Sequence, residues 1–195
     1  MKNKLLLASI LTFYILMPIL ILFNSYLYDI KFYLLTGIAT IIYLLFRVFK
    51  VSNKELGITK HNLVKSIKRN IPFIVLCLVV VVILKLIHVA KYNPNESILF
   101  YIFYIFVSCP IQEFLYRGVF GYFNINSKCN YLWIIISSLC YSFVHIVYKD
   151  LLTLLLTFMI GIIWYILYKK DNNLCGVILS HMVLGIVTIS LGIVN

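Results

Sequence analysis

The chain has 195 residues, of which 63% are hydrophobic and 12% charged, and a formal net charge of +11. Soluble domains usually hold about 45–50% apolar residues, so this composition excludes an ordinary water-soluble fold and calls for a bilayer as solvent. Its basic residues flank apolar runs instead of forming one stripe with interleaved aromatics, which excludes nucleic acid as a partner.

Seven stretches are apolar enough to cross roughly 30 Å of hydrocarbon at about 1.5 Å per residue. The first runs from about Leu5 to Phe23. Lys2 and Lys4 precede it as in a signal peptide, but the run is too long and no small-x-small site precedes Asn24 and Ser25, so it reads as an uncleaved span. The second covers about Phe32 to Phe46. Arg47 to Asn70 is the longest polar stretch, with Glu55-Leu56-Gly57-Ile58 followed by the basic run Lys65 to Arg69. Its second half reads either as an amphipathic helix on the anionic inner leaflet, burying Leu63, Val64 and Ile67, or as a solvated linker. The third span extends from Ile71 to about Val89, and Asn93-Pro94 supplies turn chemistry before the fourth, which begins near Ile98 and ends between Gly118 and Phe123. The fifth covers about Tyr131 to Tyr148; Lys149-Asp150 barely permits a reversal into the sixth, Leu151 to Tyr168; the seventh runs from Leu174 to about Val194.

The fold class is therefore all-α: a polytopic transmembrane helical bundle of about seven spans in a single integral-membrane domain over residues 1–195. Residues 1–50 hold two N-terminal spans, 51–70 a cytoplasmic basic loop and 71–195 a five-span core. Lys and Arg are retained on the cytoplasmic side, and a cytoplasmic N-terminus leaves only Lys31, Lys91 and Lys149 in outer segments. The lipid bilayer is the first partner. Five cysteines without CxxC spacing argue against a disulfide frame or a thiolate metal site. No internal repeat supports a transporter built from inverted halves.

Ionisable groups in a bilayer cost a few kcal/mol each, so they face the protein interior and mark function. Glu113 and Arg117 stand one helical turn apart in Gln112-Glu113-Phe114-Leu115-Tyr116-Arg117-Gly118 and can pair. His145 follows Tyr141 by one turn in the fifth span, and His181 lies in the seventh with Gly176 and Gly185 about one turn to either side, where small residues allow close helix approach. Counted from the cytoplasmic helix ends, Glu113 lies roughly 10–15 Å deep, His181 roughly 11 Å and His145 roughly 20 Å, so ordinary tilts could bring them to one level. A carboxylate and two imidazoles in a low-dielectric cavity can activate water. HExxH is absent, so a metal is allowed without being required.

The motifs Gln112-Glu113-x-x-x-Arg117, Tyr141-x-x-x-His145 and His181-x-x-x-Gly185, in order on three spans, resemble those of the CPBP intramembrane proteases, which include CAAX prenyl-protein endopeptidases and bacterial bacteriocin-processing or immunity (Abi) proteins. The resemblance extends over roughly residues 55 to 192, taking in Glu55-Leu56-Gly57-Ile58. Two positions depart from the family pattern: Gln112 stands where the family has a first glutamate, and Gly185 where it has an asparagine.

The resemblance implies an intramembrane endopeptidase, of metalloprotease type if one divalent ion such as Zn²⁺ is held by Glu113, His145 and His181. It cuts a membrane peptide or lipidated protein substrate near the cytoplasmic leaflet of a multi-pass protein, in a bacterial plasma membrane by the Lys-, Asn- and Ile-rich composition. In that scheme Glu113 activates water, His145 assists, His181 stabilises the oxyanion and Arg117 orients Glu113, with Gln112, Tyr141 and Gly185 in support. The alternative is a catalytically inactive protein of the same fold, acting in bacteriocin immunity or as a scaffold, for which Gln112 and Gly185 speak.

Overall fold

The computed structural model describes residues 2–88, 96–125, 127 and 129–193, without the side chains of residues 2–4. The Asn93-Pro94 turn, Lys91, Lys128 and the span ends at Val89 and Val194 lie outside the described residues, as do the side chains of Lys2 and Lys4.

Every described element is helical. Helix α1 is Lys2–Phe23, α2 the short Ser25–Asp29, α3 Lys31–Val48 and α4 Leu63–Leu86. Then follow α5, Ile98–Asn124, α6, Asn130–Tyr148, α7, Leu151–Asp171, and α8, Cys175–Ser190. Six of these are long and apolar enough to cross a membrane: α1 and α3 to α7. The seventh expected span, α8, is only 16 residues, about 24 Å at 1.5 Å per residue and short of a full crossing. Its end is set by Gly192 at φ +67, where Gly192 N–H donates to Ile189 and Ile193 N–H to Thr188, a six-to-one and five-to-two closure. Large apolar side chains such as Leu16, Leu76, Val80, Phe106 and Met159 remain exposed, a girdle that only lipid could cover.

The second half of the polar stretch after α3 is helical, which excludes a solvated linker there. Residues 63–70 are the first two turns of α4 itself, and residues 51–62 form a packed loop with Val51, Leu56 and Gly57 buried. Gly57 adopts φ +75, and its carbonyl accepts Leu174 N–H at 3.0 Å, while Asn173 Nδ2 donates to the carbonyls of Thr59 and His61 at 2.8 and 2.7 Å. This ties the loop to the α7–α8 turn, which is further held by Arg69 Nε on Asp171 Oδ2 at 2.6 Å. Gly176 completes the seam between α4 and α8: its N–H donates to Ser66 Oγ at 3.1 Å, and an added methyl would overlap Ser66 and Asn70. At the opposite end, Lys149 at φ +54 and Asp150, which caps Thr153 N–H at 3.0 Å, make the tight α6–α7 reversal.

Helix α5 is interrupted twice by π turns, Tyr104–Ser108 and Phe114–Gly118, with the regular turn Cys109–Glu113 between them. Pro110 offers no N–H to the carbonyl of Phe106 and its ring crowds that oxygen, so widening the preceding turn relieves the conflict. In the second π turn the carbonyl of Leu115 accepts the Tyr14 hydroxyl at 2.9 Å, and that of Tyr116 accepts the Ser137 hydroxyl. Helices α1 and α6 thus fasten the widened turn from both sides.

Candidate active site

The regular turn between the π turns carries Gln112 and Glu113, and the second π turn carries Arg117. Glu113 and Arg117 are both fully buried, with Arg117 Nε 3.2 Å from Glu113 Oε2. The contact is an ion pair without hydrogen-bond alignment, since none of the guanidinium nitrogens has a hydrogen-bond partner among the described residues. Instead the guanidinium lies over the rings of Tyr141 and Trp164, 4.3 and 5.2 Å from their centroids, where aromatic quadrupoles help hold the charge.

The other carboxylate oxygen reaches across to α8. His181 Nδ1 lies 2.7 Å from Glu113 Oε1, a length typical of a charge-assisted hydrogen bond. A carboxylate only accepts, so Nδ1 carries the proton and Nε2 is left facing the Tyr141 hydroxyl at 3.4 Å. Trp164 stacks on the imidazole, centroids 4.7 Å apart, and fixes its own tilt by donating from Nε1 to Ser180 Oγ at 2.8 Å. Glu113, His181, Tyr141 and Arg117 therefore form one locked cluster across α5, α6 and α8, braced by α7.

His145 stands apart from the carboxylate. It lies on the 3-10 turn Val144–Tyr148 that ends α6, and its Nδ1 donates to the Tyr141 carbonyl at 2.8 Å. That bond leaves the Nε2 lone pair unclaimed by the backbone. His145 and His181 both line a cavity of about 1170 Å³, together with Tyr104, Gln112, Tyr141 and Gly185. Glu113 does not line it. Gln112 faces the cavity with its Nε2 donating to Ser108 Oγ at 2.9 Å, so the neutral amide serves as wall and not as base.

The cavity runs away from the basic segments. Its far end is lined by Asn24, Lys31, Glu96 and Lys149, at the end of the bundle opposite the 51–62 loop. The expected position near the cytoplasmic leaflet rests on depth counted along each helix, which does not say toward which end the cavity extends. A metal set of Glu113, His145 and His181 does not fit either: both carboxylate oxygens are engaged, His145 turns Nδ1 to its own backbone, and no group of three His, Cys, Asp or Glu among the described residues is placed to hold a metal ion.

Sequence reasoning missed Trp164 and Tyr104. Trp164 had a faint signal, as a lone indole in an apolar span; Tyr104 had none, because its position depends on the π turn.

These features define a multi-pass helical membrane protein with a buried acid–imidazole pair beside an apolar-walled cavity. Residues 94–187, which include Tyr104 and every candidate site residue, match the family described as type II CAAX prenyl endopeptidase Rce1-like. That match, over just under half of the chain, supports a CPBP/CAAX family of intramembrane proteases. Searches of curated proteins and of solved structures return no match.

Proposed function

We propose that this protease hydrolyses a peptide bond of a membrane-anchored or lipidated peptide within the cavity, as a multi-pass protein of the bacterial plasma membrane. The observation that supports it is the Glu113–His181 contact of 2.7 Å, sealed from lipid while the imidazole borders the cavity.

The base is His181 in place of the carboxylate. Glu113 holds Nδ1–H, so Nε2 is the basic atom, and the carboxylate stabilises the imidazolium formed when Nε2 takes a proton from water. The Arg117 guanidinium, 3.2 Å from Oε2, braces the Glu113 carboxylate from the other side. His145 Nε2 accepts the water's second hydrogen and aims its oxygen at the scissile carbonyl carbon. Attack forms the new C–O bond and moves the carbonyl π pair onto oxygen; collapse expels the amine, which recovers the proton from His181. Glu113 and Arg117 act as positioning residues. No step passes through a metal, and the substrate reaches the site from the cavity end lined by Lys31, Glu96 and Lys149.

The test is cleavage of a panel of membrane peptides by purified protein in nanodiscs, with and without a chelator. His181→Gln and His145→Gln should each lower the rate by about 10²-fold or more, as loss of a general base does, and the chelator should leave it unchanged. Cleavage at the full rate by His181→Gln would remove this mechanism. The seclusion of Glu113 from the cavity favours the non-catalytic alternative. That alternative gains if no peptide is cut while a Glu113→Ala copy restores peptide resistance to cells lacking the protein.

A further inference from the structure

Peptide hydrolysis by an imidazole base needs a donor where negative charge develops on the carbonyl oxygen. Glu113, His145 and His181 do not supply one: the first is an acceptor, and both rings present an unprotonated Nε2. One wall of the cavity holds a suitable group. Tyr104 stands edge-on to the His181 ring, centroids 5.9 Å apart, and stacks on Phe100 at 5.9 Å and 19° between planes, so its ring has little freedom. Its hydroxyl fills the space beside the α-carbon of Gly185, one turn beyond His181. A methyl group at Gly185 would overlap that hydroxyl and come within 2.6 Å of Cζ. Tyr104, His181 and Gly185 all line the cavity.

The first π turn puts the tyrosine there. A regular helix would stack Tyr104 over Ser108 and Gln112; the extra residue in the turn Tyr104–Ser108 instead stacks it over Cys109, whose thiol is the resting hydrogen-bond partner of the hydroxyl, and in line with Glu113. Gly185 is the complementary change on α8, since any side chain there would evict the hydroxyl.

We propose that the Tyr104 hydroxyl is the oxyanion donor and a catalytic residue, with Gly185 reserving its place; this rests on the hydrolytic reading above. As the water oxygen bonds to the carbonyl carbon and the π pair moves to oxygen, the hydroxyl donates a hydrogen bond to that oxygen and keeps its proton.

Two measurements on the full-length protein in nanodiscs test this. Tyr104→Phe keeps the ring and should lower kcat by about 10²-fold, the loss typical of one oxyanion donor, with KM unchanged. Gly185→Ala should do the same, and its effect should largely vanish in the Tyr104→Phe background. Wild-type kcat in Tyr104→Phe would overturn the assignment while leaving hydrolysis by the wild type intact. Binding of a peptide phosphinate, whose tetrahedral P–O⁻ imitates the oxyanion, reads the same donor without turnover. Tyr104→Phe should weaken the phosphinate by about 10-fold or more, and the parent peptide by less than about twofold. Equal affinity of both proteins for the phosphinate would overturn the assignment even if no peptide is cleaved, an outcome that would count separately against hydrolysis.

Discussion

Glu113 and Arg117 are an acid and a base fully buried among membrane-spanning helices, and their 3.2 Å contact is poorly aligned. Burying such a pair yields little net stability, yet removing one partner strands the other charge and costs about 3–5 kcal/mol, while replacing both is often near neutral. Arg117→Met should therefore lower thermal stability in detergent by an amount in that range, and adding Glu113→Gln should recover most of it, because the amide still accepts from His181 Nδ1. Equal instability of the single and double variants would mean the two charges are uncoupled. At this scale the sequence was informative within a helix and silent between helices. The four-residue spacing of Glu113 and Arg117 already implied contact, and Tyr141 and His145 meet as their spacing suggests, through the 2.8 Å bond from ring to carbonyl. Which histidine takes the carboxylate depends on how α8 is rotated against α5. Spacing along one chain segment does not encode that rotation.

Elements follow similar logic, with hydropathy locating spans well and their junctions poorly. The polar run 51–62 is packed because its glycine and carbonyls serve the α7–α8 turn, and polarity alone cannot separate a docked loop from a solvated one. The π turns of α5 were illegible beyond Pro110, since a widened turn keeps the same apolar count. Glycines behave according to what faces them. Gly176 lies against the Ser66 backbone and the Asn70 side chain, whereas a methyl at Gly37 on α3 would meet nothing within 4 Å. Gly176→Ala should push α4 from α8 and destabilise by about 1–3 kcal/mol, as overpacking does; Gly37→Ala should be neutral or gain up to about 1 kcal/mol from helix propensity. Thermal unfolding of the two variants in one detergent checks this, and equal shifts would contradict the tight α4–α8 seam.

At the scale of the whole molecule, one end of the bundle gathers the 51–62 loop, the Arg69–Asp171 pair and the α7–α8 turn, while the cavity extends to the other. Basic residues concentrate at the first end, which the positive-inside rule assigns to the cytoplasm. Cys129, exposed between α5 and α6, belongs to that end, and Ser25, exposed between α1 and α3, lines the far end of the cavity. A variant whose only cysteine is Cys129 should resist a membrane-impermeant thiol reagent in intact cells and react after permeabilisation. A Ser25→Cys variant without the five native cysteines should react in intact cells. The reverse pattern would turn the bundle over and point the cavity at the cytoplasm. The distinction decides the substrate pool, because an outward cavity meets secreted or outer-leaflet peptides and an inward one meets lipidated cytoplasmic C-termini. With the outward arrangement, a membrane peptide added to intact cells should be cut at the same bond as in nanodiscs, and the His145→Gln variant should leave it whole.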